Sequence, residues 1–440
     1  MLMVLAGFML MACDYHSFGL LFSLLLVISA SVMCGWGGQC YELLSRWAGV
    51  DQLSKSLVFL VVIVSIMAYY SASEEEALGL GMMVVVSGII AVLIFICARL
   101  FPFFFMFEAS LIPMFGMIVG WGYQPERSQA GISMMIYTSA GSLPMFLFIS
   151  WVDKILESDS IILLSLSMDG VSLSWFLWVS GILAFLIKMP LFGLHGWLPK
   201  AHVEAPVSGS VILAGIMLKF GGYGLMRFMW VFKWESCSAL SDLLLMCALW
   251  GGFVSTWLCV VQADMKSLIA YSSISHMSLV MAGILSCTSM GWSAALVLMF
   301  SHGLSSPILF MAANYSYEIY QSRSMVLCKG LLKLQPMLVV VWFGGVAMSV
   351  GFPPSSAFFA EVGLISSGFM QSASAGLVMG LMCFMSFGYS FFLFMSVTHG
   401  GVSSLMKASA EEKSFGYLIL VSAVALIMLT GMCMDLFFLG

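Results

Sequence analysis

The sequence predicts an all-α, polytopic membrane protein with about fourteen transmembrane helices. Composition and pattern both point there. Of 440 residues, 62% are hydrophobic and only 8% are charged, whereas an ordinary soluble protein is about 45–50% apolar and about 25% charged. So few charges cannot build a water-facing surface. The apolar residues fall in about fourteen runs, most near the ~20 residues that cross a hydrocarbon core about 30 Å thick. Little chain is left for a soluble domain.

In order, the runs lie near residues 2–12, 18–38, 56–71, 78–98, 100–121, 129–151, 171–190, 206–230, 240–261, 268–287, 291–314, 337–367, 376–397 and 416–438. Charges, Gly and Pro bound them. They are long and non-alternating, and backbone polar groups in lipid must be satisfied internally, so they are helices rather than barrel strands. The opening MLMVLAGFMLMAC lacks a positive n-region and reads as a short first span rather than a removable signal. Polar connections are expected at 39–55, 72–77 (with Glu74, Glu75 and Glu76), 152–168, 315–335 and 398–414.

The net charge of −5 is small and scattered, with no basic cluster to bind nucleic acid. The eleven cysteines contain no C-x-x-C pair, which argues against an iron–sulfur or zinc site. There is no G-x-G-x-x-G, P-loop or haem-ligation motif. No cofactor, metal or redox centre is expected on this chain. Its 38 Met residues fit either a mitochondrial genetic code, in which an extra codon reads as Met, or Met as flexible apolar filler.

Two spans look broken. One is KMPLFGLHGWLPKAHVEAP, Lys188 to Pro206, and the other is GFPPSSAFFAE, Gly351 to Glu361. Proline removes a backbone donor and breaks a helix, and interrupted helices at matching positions point to a transporter built on inverted repeats. Glu108 to Pro190 spans 82 residues and His276 to Pro353 spans 77. Each interval runs from an intramembrane ionisable group to a broken helix.

Ionisable side chains at bilayer depth cost at least about 2.5–3.5 kcal/mol each on insertion scales. Six stand out: Glu108, Lys188, Lys219, His276, His302 and Glu361. Lys219 lies about 18 Å beyond the start of its span at 1.5 Å per residue, too deep for easy snorkelling. Carboxylates, lysines and histidines in this order can exchange protons when burial and neighbouring charge shift their affinities. The alternative role for each histidine is a hydrogen bond to a neighbouring helix. For Lys188 it is snorkelling from a helix end, and for Glu361 it is capping at the helix break.

His195, Lys200, His202 and Glu204 cluster after the first break. The spacing H-x6-H-x-E is not a zinc pattern and Pro199 intervenes. The cluster reads as a polar, water-accessible link between channel segments. Asp264 and Lys266 read as interfacial charges or a local pair, and Trp121, Trp151, Trp197, Trp230 and Trp257 as interfacial anchors.

LHGWLPKAHVEAP (Leu194–Pro206), LKFGGYGLMR (Leu218–Arg227), DMKSLIAYSSISHMSLV (Asp264–Val280) and HGLSS (His302–Ser306) closely resemble the chain-4 family of mitochondrial NADH–ubiquinone oxidoreductase, respiratory complex I. That family is similar to cation/proton antiporters. The resemblance is dense from Glu108 to Glu361. It implies fourteen helices with two inverted five-helix repeats: N-terminal helices over 1–75, repeats over 76–235 and 236–398, and a C-terminal helix over 399–440. It implies that Glu108, Lys188, Lys219, His276, His302 and Glu361 line a proton path. It also implies partner subunits, neighbouring antiporter-like chains among them, that carry NADH, FMN, iron–sulfur clusters and ubiquinone, all in the inner mitochondrial membrane with lipid around it. The runner-up reading is a stand-alone sodium/proton antiporter. A third is a structural subunit whose polar axis only stabilises helix packing. The chain departs from the family at Gly196, where a larger apolar residue is usual, and at Pro307, which is expected to interrupt the helix after His302.

Overall fold

A computed structural model describes residues 42–43, 45, 47–72, 77–167, 174–232, 238–401 and 414–432. The expected spans 2–12 and 18–38, with Glu74, Glu75 and Glu76, lie outside the described residues.

The described chain is helical apart from a two-residue hairpin, β1 (Glu42–Leu43) against β2 (Gly49–Val50). The helices are α1 (Gln52–Tyr70), α2 (Ala77–Ile96), α3 (Leu100–Ala109), α4 (Leu111–Trp121), α5 (Arg127–Leu156), α6 (Ile161–Ser167), α7 (Trp175–Lys188), α8 (Trp197–Glu204), α9 (Val207–Phe232), α10 (Ser238–Val261), α11 (Met265–Leu285), α12 (Ser289–Tyr320), α13 (Leu331–Leu334), α14 (Pro336–Ser349), α15 (Ser356–Gln371), α16 (Ala373–Thr398) and α17 (Ser414–Met432). Nine spans among the described residues are long and apolar enough to cross a membrane, and shorter apolar helices accompany them. The other twelve expected runs all coincide with observed helices.

Local chemistry sets several helix starts. Asp51 opens α1 with a capping box: its carboxylate accepts from Ser54 N (2.9 Å), and Ser54 Oγ accepts from Asp51 N (2.8 Å). Thr288 and Ser372 cap α12 and α16 through their hydroxyls.

The core is a pair of long helices, α9 and α12, whose apolar windows are entirely buried, flanked by α1 and α11. The peripheral α5 and α16 turn much of their apolar surface outward, as lipid-facing helices do. Small residues let α9 and α12 approach closely. A Cβ on Gly215 would lie 2.5 Å from Val64 Cγ1 and 3.2 Å from the Gly303 carbonyl oxygen.

Two differences from expectation and one expected break are informative. The run 100–121 divides at Ser110 into α3 and α4. Pro113 removes the donor for the Ala109 carbonyl four residues earlier, so the break falls there. The run 337–367 is two helices separated by Val350–Ser355, where the Gly351–Glu361 segment was expected to break. Gly351 in that break has φ +73°, a left-handed conformation that suits glycine. Pro307, by contrast, does not interrupt α12. Neighbouring helices tolerate prolines in membrane spans, and here the Gly303 carbonyl, which loses its donor to Pro307, lies in the close contact with α9 at Gly215.

A Cβ on Gly224 would collide with the Phe185 ring, whereas Gly388 has nothing near its Cβ position. Gly224→Ala is therefore expected to cost about 1–3 kcal/mol through overpacking of α9 on α7. Gly388→Ala is expected to be neutral or stabilising by up to about 1 kcal/mol. Thermal unfolding of the two variants checks the difference.

Candidate functional site

Five of the six ionisable residues of the apolar runs are buried and Glu108 is partly buried, and four of the six adjoin an irregularity in a helix. Glu108 precedes the Ser110 break, and Lys188 is the last residue of α7. Lys219 follows a π-helical turn, Leu213–Met217, inside α9. Glu361 lies in the second turn of α15, after the Val350–Ser355 break.

Lys219 is fully buried. Its Nζ donates to the Ala214 carbonyl (2.6 Å) and meets His302 Nδ1 (3.0 Å). The π turn makes this geometry accessible, because widening the helix loosens a carbonyl from its regular ladder. Gly303 is part of the same fit: a Cβ there would lie 3.1 Å from Lys219 Cε. The His302 ring lies 5.5 Å from the His276 ring, centroid to centroid. The Nδ1 of His276 is buried and makes no hydrogen bond within the protein.

On one side, Lys188 Nζ sits 4.1 Å from the centre of the Phe107 ring and donates to Ser110 Oγ (3.4 Å). Glu108 is near enough to attract that charge. No direct ion pair joins them, and Glu108 Oε1 is buried without a hydrogen bond. Phe220, the neighbour of Lys219 in sequence, lies 5.7 Å from the same ammonium.

On the other side, a cavity of about 10 Å³ is lined by residues that include His276, Ser272, Ser349, Ser386, Tyr389 and Ser390. That is room for about one water. Tyr389 Oη meets Ser275 Oγ (3.3 Å). Glu361 lies beyond, near Cys383 and Tyr389, with its Oε1 buried and without a hydrogen bond in the protein. A Cβ on Gly351 would lie 2.9 Å from Glu361 Oε2.

The second predicted cluster divides. His202 is fully buried, stacked on Phe310 (4.7 Å between centroids), with both ring nitrogens unbonded within the protein. Glu204 is buried nearby. With its amide in the orientation that satisfies both neighbours, Gln124 donates to Glu204 Oε1 (2.9 Å) and accepts from Arg323 Nη2 (2.6 Å). Arg323 Nη1 also donates to the Val203 carbonyl (3.0 Å). His195 is half-buried and accepts from Gly193 N (3.2 Å). Lys200 is exposed and stands apart.

Two expectations are corrected. Trp197 is no interfacial anchor: it is 2% exposed, and its Nε1 donates to the Ile187 carbonyl (3.2 Å), tying α8 back to α7 across the break. Lys266 does not pair with the exposed Asp264: it is buried with its ammonium 5.5 Å from the Tyr123 ring centre. Among the described residues, no group of three or more His, Cys, Asp or Glu side chains is placed to hold a metal.

Residues 97–388 match the family described as NADH:quinone oxidoreductase/Mrp antiporter, TM. The chain belongs to that family. Similar proteins include NADH-ubiquinone oxidoreductase chain 4 of Lumbricus terrestris, 40% identical over 370 residues, or 82% of this chain and 81% of that one. The protein of the same name from Locusta migratoria is 42% identical over 304 residues, 69% and 67% of the two chains. Among solved structures, respiratory complex I from Thermus thermophilus with bound NADH superposes with a TM-score of 0.83 at 24% identity, covering 98% of this chain and 94% of that one. The Mrp complex from a Dietzia species gives 0.84 at 15% identity, covering 100% and 95%. At these identities the structural likeness shows a shared fold.

In this NADH:quinone oxidoreductase/Mrp antiporter family member, the matched span contains every site residue discussed above. Sequence reasoning passed over Ser110, Tyr389 and Cys383, which are single polar groups in apolar runs and look like helix filler. It also passed over Gln124 and Arg323, which look like ordinary loop residues. An arginine in a short loop between two deep spans was the available signal for Arg323.

Arg323 and Gln124 hold α8 from opposite loops. Removing a hydrogen bond to a charged group costs about 1.5–3 kcal/mol, so Arg323→Ala is expected to speed amide hydrogen exchange in residues 197–204 about tenfold or more. Lys200→Ala is expected to leave those rates unchanged.

Proposed function

We propose that this chain is a proton-translocating core membrane subunit of NADH:ubiquinone oxidoreductase, respiratory complex I, in the mitochondrial inner membrane. The observation that carries the reading is the buried contact of Lys219 with His302, and of His302 with His276, between Lys188 on one side and Glu361 on the other. The names of the relatives favour an oxidoreductase subunit over a stand-alone sodium/proton antiporter.

NADH oxidation and ubiquinone reduction belong to partner subunits, which hold FMN and iron–sulfur clusters. This chain supplies the path and the gates. Glu108 attracts Lys188 without pairing with it, and Lys188 instead donates to the Ser110 hydroxyl. When a charge change in a neighbouring antiporter-like subunit draws Glu108 away from Lys188, the lysine loses its attraction and releases its proton toward Lys219. A protonated Lys219 beside His302 raises the energy of any second cation there, so Lys219 hands its own proton to His302, and His302 passes it to His276. From there Ser275, Tyr389 and water lead to Glu361, which takes it up.

The path must not conduct passively. Moving one charge against the potential costs about 2.3 kcal/mol per 100 mV, and an open wire would dissipate that. The breaks after Lys188 and before Glu361 are natural gates. Half-helices joined by short loops change angle without losing their backbone hydrogen bonds.

Lys219→Met keeps the side-chain volume and removes the ammonium. The assembled complex carrying it is expected to lose most NADH-driven proton translocation, measured as protons moved per NADH oxidised. Lys200→Met, at an exposed position, is expected to match the wild type. A normal proton yield from Lys219→Met rejects the role assigned to Lys219. An assembly defect with normal yield per assembled complex points instead to a purely structural axis.

A further inference from the structure

We propose that the cleft between the C-terminal ends of α10 and α16 binds one anionic phospholipid, with its phosphate at Lys329 and His399 and an acyl chain along the apolar wall. The cleft has a volume of about 560 Å³. Its wall includes Val260, Val261, Val326, Phe392 and Met395. Val261 is 79% exposed, Val326 65% and Phe392 52%. Val260 and Val261 end α10, Phe392 and Met395 lie in the last two turns of α16, and Val326 comes from the loop after α12, so the cleft sits where headgroups meet hydrocarbon.

The polar mouth is built from two loops held together. Gly330 N donates to the His399 carbonyl (3.2 Å), which sets Lys329 beside His399. Tyr320 Oη donates to the Lys329 carbonyl (2.6 Å), and the Lys329 stem runs along Gly400, within 3.7–3.8 Å of where a Cβ would stand. Thr398 Oγ1 meets His399 Nδ1 (2.9 Å) and fixes the ring. No acidic residue is among the described lining residues.

This arrangement selects its occupant by chemistry. A cationic mouth favours an anionic headgroup, and each lysine near such a surface favours anionic lipid about fivefold. The apolar wall adds acyl-chain burial, which an inorganic phosphate ion cannot use. A zwitterionic lipid would share the wall without the charge preference.

The test uses the assembled complex in phosphatidylcholine nanodiscs. Traces of phosphatidylglycerol or phosphatidylcholine are added, each with a photoactivatable diazirine at the same acyl position, and labelled peptides are mapped. Phosphatidylglycerol is expected to label residues 260–262 or 392–396 about fivefold more than phosphatidylcholine. Lys329→Gln is expected to erase most of that excess, and added inorganic phosphate to leave it unchanged. Equal labelling by the two probes overturns the proposal, as does an excess that survives Lys329→Gln, competition by inorganic phosphate, or no labelling at all. Photo-crosslinking from Val261 to another protein chain of the complex would show that a subunit fills the cleft, and would overturn it too.

Discussion

A lysine ammonium with no exposed surface, Lys219, is held by one carbonyl and one imidazole in an otherwise apolar bundle. Burying a charge without partners costs far more than a helix bundle can offset. Lipid offers none, and regular helices keep their carbonyls engaged. Acceptors therefore come from irregular backbone and from a few side chains. That requirement explains why helix irregularities coincide with the ionisable groups. The π turn serves Lys219, the Pro113-induced break brings Ser110 to Lys188, and the Gly351 turn packs against Glu361.

The same constraint leaves the site loosely connected, which suits transfer better than storage. Lys188 holds Ser110 at a long 3.4 Å, and Glu108 Oε1 and His276 Nδ1 have no hydrogen bond within the protein. A fully satisfied buried network would be rigid. Here Lys188, Glu108 and His276 keep hydrogen-bonding capacity that the protein leaves open.

The second polar cluster does mechanical work. Gln124 and Arg323, from loops far apart in sequence, converge on Glu204 and the Val203 carbonyl. The Arg323 loop is itself tied to the start of α11, through Met265 N to the Arg323 carbonyl (3.1 Å). One half of the molecule thereby holds the broken helix of the other, next to the histidine that stacks on α12.

Hydrophobic runs and broken spans determined the helices, because a lipid solvent forces every backbone group into an internal hydrogen bond. Motifs around Lys188, Lys219, His276 and His302 marked the buried charges, because such charges are costly enough to be conspicuous in an apolar chain. Tertiary structure alone decided which of them touch. It put Lys200 outside and Lys266 inside, kept α12 continuous through Pro307, and brought Arg323 to α8. Those outcomes depend on helix rotation and on contacts between residues distant in sequence, and a one-dimensional pattern of polarity carries neither.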